Sequence, residues 1–168
     1  MRYTLPAAAL SLVLAMTGSM GSAKVEQVAD PRAQALLANG HADLASGQVD
    51  AATDAFEAAL AVDPGYVGTY IALGEAARKA GLQGKAIHYY REALQRDPNN
   101  LGAIAGEGAA MAEKGALEKA RTNLARLEGI CGKACAETQE LAAVIAKGPT
   151  PRVLSAEAVK PQPVVESN

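Results

Sequence analysis

The sequence predicts an all-α fold, an α-solenoid of about three helix-turn-helix repeats closed by a C-terminal capping helix. Three observations predict it. Landmark residues recur at a fixed offset of 34: Gly40 and Gly74, Gly47 and Gly81, Ala52 and Ala86, Phe56 and Tyr90, Asp63-Pro64 and Asp97-Pro98. The series continues as Gly108, Gly115, Ala120 and Leu124, and self-similarity at this period marks a helical repeat array. Apolar residues make up 49% of the 168, yet aromatics only 4% and Trp is absent. Ala and Leu therefore carry the apolar content, which suits closely approaching helices. The alternation of half-buried strands is also missing, and Val, Ile and aromatic residues do not cluster into strand-like runs.

Residues 1–23 read as a signal peptide. Arg2 gives a positive start, a short apolar run follows Pro6, and Gly21-Ser22-Ala23 places small residues at a cleavage site. The run is shorter and more interrupted than the roughly 20 apolar residues of a membrane span, so cleavage after Ala23 is expected and no stable membrane span thereafter. An uncleaved anchor is the competing reading. No Cys follows the run to take a bacterial lipid anchor. Loss of Arg2 would shift the formal charge from −2 to −3. With no basic stripe either, nucleic acid is not an expected partner.

Residues 24–29 form a flexible lead-in, and the domain is expected over 30–147. Asp30-Pro31 opens the first helix, at about 31–46, as an N-cap followed by Pro at the first helical position. Gly47 stops it. Its partner, about 49–62, sets Ala52, Phe56, Ala59 and Leu60 on one side. Asp63-Pro64 is expected both to end this repeat and to start the next helix. In the second repeat Tyr70, Leu73 and Gly74 face Ala86, Tyr90 and Ala93, with Gly81 at the turn. Gly in a helix interior costs about 1 kcal/mol relative to Ala, so its recurrence points to a close helix crossing. The third repeat runs to Lys114, turns at Gly115, and resumes from Leu117 to Glu128 without a closing Pro. A capping helix at about 136–147 then carries Leu141, Val144 and Ile145 on one face, where a solenoid needs its open end shielded. Residues 148–168 hold Gly148-Pro149, Pro151, Pro161 and Pro163 with no helical period, and read as a disordered Pro-rich tail.

These residues resemble the tetratricopeptide repeat: a small residue midway along the first helix, Ala and an aromatic on the second, and a closing Pro. The match is fullest from Tyr70 to Pro98. The resemblance implies a protein-binding module whose first helices line a concave surface. The register aims Gln34, Leu37, His41 and Leu44, then Ile71, Glu75, Arg78 and Lys79, then Gly102, Ala105 and Ala109 at that groove. Members that bind chaperone tails grip a terminal carboxylate with Lys, Asn and Arg. The matching places here hold Leu37, His41, Ala72, Gly102 and Gly106, which argues against that mode. An apolar floor with a charged middle suits a partner helix or extended segment, unless the chain's own tail or a neighbouring subunit covers it.

Cys131 and Cys135 are the only cysteines. In an exported chain a close even pair is most simply a disulfide, one that would fix how the capping helix leaves the third repeat. A small thiol-redox factor is the alternative, although a redox catalyst more typically carries C-x-x-C at a helix start in a βαβ unit. His41 and His88 fall on different faces, so a shared metal site is not expected. No nucleophile elbow, phosphate loop or acidic metal cluster is present. The expectation is thus a non-enzymatic adaptor or scaffold without cofactor or metal, periplasmic or secreted, binding a protein partner.

Overall fold

The computed structural model describes residues 28–149. The expected leader at 1–23, residues 24–27 of the lead-in and residues 150–168 of the tail lie outside them. Seven helices follow in order: α1 Pro31–Ala45, α2 Val49–Val62, α3 Val67–Lys79, α4 Gln83–Arg96, α5 Leu101–Glu113, α6 Leu117–Cys131 and α7 Ala136–Lys147. No strand occurs among the described residues. The fold is the all-α solenoid that the 34-residue recurrence predicts.

Local chemistry accounts for most of the boundaries. Asp30 caps α1, its side chain accepting the Arg32 N–H at 2.8 Å, with Pro31 at the first helical position. Gly47, Gly81 and Gly115 adopt φ of 82°, 75° and 93°. At each of these turns the following amide donates five residues back: Gln48 to Asp43, Leu82 to Ala77, Ala116 to Met111. This recurring closure satisfies carbonyls that the helix end leaves open, and a Cβ would strain the left-handed residue.

Two boundaries differ from expectation. Asp63 and Asp97 cap the ends of α2 and α4, but the helices that follow begin later, after Tyr66 and Asn100. Pro64 therefore lies in the turn, and Asn100 caps α5 by accepting the Ala103 N–H at 3.1 Å. Asp63 instead accepts the Asp30 N–H at 3.1 Å, tying the first repeat's end to the start of the domain. Helix α6 runs three residues past Glu128, keeping Gly129 inside the helix, and stops at Gly132 with φ 86°.

Each helix packs on its sequence neighbour, but the layers are unequal. Helices α1, α3, α5 and α7 approach one another closely in succession, whereas the backbones of α2, α4 and α6 stay apart, α2 and α4 being bridged by the Lys85–Glu57 ion pair. The array is tighter on the first-helix side, which becomes its inner face. Close crossings within and between repeats rest on glycine. A Cβ on Gly40 would enter the ring of fully buried Phe56, and one on Gly106 would enter the ring of Tyr90. Helix α5 is buried from Ala103 through Ala112, because α3, α4, α6 and α7 all pack on it. Among those residues Glu107 is a carboxylate. It is held by Arg91 Nε at 2.8 Å and Asn123 Nδ2 at 3.0 Å, so one buried acid links α4, α5 and α6.

Candidate functional site

The inner face carries the residues that sequence aims at a groove, but packing divides them. Leu37 and Leu44 are 8% and 4% exposed and belong to the core cluster with Phe56, Ala72, Leu73 and Ala76. Ala105 and Ala109 are buried in the cluster that includes Leu127 and Leu141 of the capping helix. These four positions are corrected from groove floor to interior. The cause is the small size of Ala72 and Ala76, which lets α1 and α3 close on the leucines, and the seating of α7 on the alanines of α5. Ile71 is half-buried against the second-repeat core. Gln34 and His41 are exposed on α1: Gln34 donates to the Ala29 carbonyl at 3.0 Å, and His41 packs edge-on to Phe56 at 5.1 Å.

The charged part of the groove does assemble. Glu75, Arg78 and Lys79 of α3 line an open cleft of about 300 Å³ with Glu113 of α5 and Glu140 of α7. Arg78 is its fixed member. Its Nη2 lies 2.6 Å and its Nε 3.3 Å from the two Glu113 oxygens, and Gln83 donates to the same carboxylate at 3.2 Å. Burial disfavours the Arg78 charge, but hydrogen bonding to Glu113 and the nearby Tyr90 phenol outweigh it, so its pKa rises above the usual value. A two-pronged pair of this kind is rigid as well as charged. It braces the back of the cleft and leaves the Glu75, Lys79 and Glu140 side chains to face outward. Glu113 stands 34 residues after Lys79, so the repeat register could have found it. Glu140 gave no such signal, since the capping helix repeats the pattern only loosely.

At the start of the capping helix, Cys131 ends α6 and Cys135 precedes α7, their Cα atoms 5.8 Å apart and their sulfurs in contact. The Glu137 carboxylate lies 2.9 Å from the Cys135 sulfur. Cys131, Cys135 and Glu137 present potential metal-ligand atoms within 4.8 Å of one another. A bridge between the sulfurs would withdraw two of the three ligands, so bridge and metal exclude each other.

The comparisons with known proteins agree with this geometry. Residues 67–100 match the tetratricopeptide repeat family. That stretch begins with α3 and ends in the turn after α4, one full hairpin with its Gly74–Tyr90 crossing. Residues 67–100 thus form one tetratricopeptide repeat. The tetratricopeptide-repeat fold extends across the array. The first repeat domain of Spaghetti (RPAP3), bound to the HSP90 peptide SRMEEVD, is similar with a TM-score of 0.63 at 20% identity, covering 71% of this chain and 95% of that one. The Sgt2 domain from Aspergillus fumigatus gives 0.63 at 20% identity over 84% and 91%. The Yersinia enterocolitica type III secretion chaperone SycD, in complex with a peptide of the translocator YopD, gives 0.59 at 19% identity over 68% and 92%. No curated protein matches the sequence. Among the described residues no helix is long and apolar enough to cross a membrane.

Proposed function

We propose that this protein is an exported, non-catalytic adaptor that holds a segment of a partner protein in the cleft of Glu75, Lys79 and Glu140. The observation that carries the reading is the braced Arg78–Glu113 pair at the back of an open cleft on the inner face. Two structural neighbours are described with bound peptides, which supports a peptide-binding use of the same fold. The partner surface proposed is charged rather than apolar, because the apolar positions are consumed by packing between repeats. Mixed charge on the rim favours register and selectivity over raw affinity. Export to the periplasm or beyond rests on the leader pattern of residues 1–23. A bridge between Cys131 and Cys135 is consistent with that compartment.

A thiol-redox role is the weaker reading. The Glu137 carboxylate beside Cys135 places negative charge where a reactive thiolate would need stabilising.

The test begins with mass measurement of protein recovered from the cell envelope, where loss of residues 1–23 is expected. Partners are then captured by crosslinking with the mature chain and with a Glu75→Lys, Lys79→Glu reversal whose helicity is checked by circular dichroism. The reversal is expected to lose the captured partner, and a Cys131→Ser, Cys135→Ser variant to keep it. The opposite pattern would replace the adaptor reading with the thiol-based one.

A further inference from the structure

A second cavity of about 300 Å³ opens on the outer layer, between α2 and α4, whose backbones stay apart. Asp50 and Asp54 form its wall on α2, Leu73 contributes to its floor, and Leu82, Lys85 and Tyr89 close the other side. Leu82 is 51% exposed, at a place where the other repeats carry Gln48 and Ala116. Asp50 and Asp54 stand one helical turn apart and are like charges. Neither makes a hydrogen bond or ion pair among the described residues. Lys85 does not answer them, since its Nζ lies 3.7 Å from Glu57 and 5.6 Å over the Tyr89 ring. The cavity thus joins an aliphatic and aromatic surface to an uncompensated acidic wall. An extended proline-containing segment bearing one cation complements both.

The chain itself carries such a segment, Val159-Lys160-Pro161-Gln162-Pro163-Val164. The described chain ends near the cavity's edge of the array. Pro149 sits against the α5–α6 turn, 3.9 Å from where a Cβ on Gly115 would be. The α3–α4 turn, with Ala80 and Leu82 at the cavity rim, is the equivalent turn one repeat away. Packed helices lie about 8–10 Å apart, so the acidic wall is roughly 20–30 Å from Pro149. The eleven residues from Pro149 to Lys160 span up to about 36 Å when extended.

We propose that residues 159–164 of this chain dock in the α2–α4 cavity of the same molecule. The prolines lie on Leu82 and Tyr89, and the Lys160 ammonium sits between Asp50 and Asp54. Proline-rich segments lose little freedom on docking and favour aromatic-lined grooves. Tethering raises the local concentration of the segment to the millimolar range, so a modest contact suffices. The cavity lies outside the inner cleft, and the proposal therefore stands apart from the adaptor reading.

The full chain tests it, using a carbodiimide that joins an amine and a carboxylate already in contact, followed by peptide mapping. Expected is a link from Lys160 to Asp50 or Asp54 within one molecule, with a yield unchanged on dilution. Lys160→Glu abolishes it, and Lys160→Glu combined with Asp54→Lys restores a link between the same two positions. The proposal is overturned if Lys160 links indiscriminately to exposed carboxylates or not at all. A link to Glu75 or Glu140 would place the segment in the inner cleft and overturn it equally. A link that forms only between molecules and fades on dilution would make a second copy the occupant instead.

Discussion

Gly74 of α3 lies flat against the ring of Tyr90 on α4, so close that a Cβ there would stand 2.8 Å from two ring carbons. Both residues are buried, and neither helix can move away without opening the core that contains Ala86 and Ala93. Gly74→Leu is therefore expected to destabilise the domain by about 1–3 kcal/mol, the usual range for overpacking. Lys119→Leu, an exposed site on α6, is expected to have little effect. Urea unfolding of the two variants checks the register, and equal midpoints would contradict it.

Arg91 is not a neutral surface position, although its place on an outer helix suggests one. It pairs with Glu107, whose side chain is only 9% exposed. Glu107→Ala would leave Asn123 with only the Ile104 carbonyl as acceptor and unlink three helices. A loss of about 1–3 kcal/mol is expected, with Glu107→Gln milder because it can still accept a hydrogen bond. Chemical denaturation of both variants would decide, and indistinguishable midpoints for them and the parent would refute the linking role.

Alkaline unfolding should report on Tyr90. Burial, partly offset by Arg78, pushes its phenol up to about 12 from 10.0. The folded state thus keeps the proton that the unfolded state releases, so stability is intact below pH 10 and falls as pH rises toward 12. Tyr90→Phe should flatten that fall, as read from unfolding midpoints across the alkaline range. Retention of the full decline in the variant would assign it to other groups.

The cysteine pair should resist alkylation until a reductant is added. The loop it closes is short, so replacing both by Ser is expected to cost about 2 kcal/mol or less. Free labelling without reductant would rule out the bridge.

The legible parts of this fold were those decided by neighbours in sequence. Asp30-Pro31 and the turn glycines Gly47, Gly81 and Gly115 act within a few residues, and the helices begin and end there. Gly40 and Gly74 were legible as crossings because their recurrence had no other use. The groove was only half legible. Leu37 and Leu44 point to the inner side in a single repeat, yet the next repeat closes on them through Ala72 and Ala76. That seam depends on how far one hairpin rotates against the next, which no local pattern encodes. The acidic partner of Arg78 was recoverable from the 34-residue register, whereas the buried role of Glu107 was not, because its partners sit on two other helices. Gly129 misled in the other direction: a glycine near a helix end suggests a stop, but the left-handed residue that ends α6 is Gly132.

The burial of α5 on every side has a consequence for how the molecule opens. In a linear array each repeat is held only by its neighbours, and α1 has one such neighbour in α3 while α5 has both α3 and α7. Local fraying should therefore begin at the first hairpin and stop short of the third. Amide hydrogens of α5 would then exchange with solvent only through global unfolding, and those of α1 through a cheaper partial opening. Deuterium uptake followed by mass spectrometry would show two classes of peptide if so. A single class, with α1 as slow as α5, would mean that the whole solenoid opens as one unit.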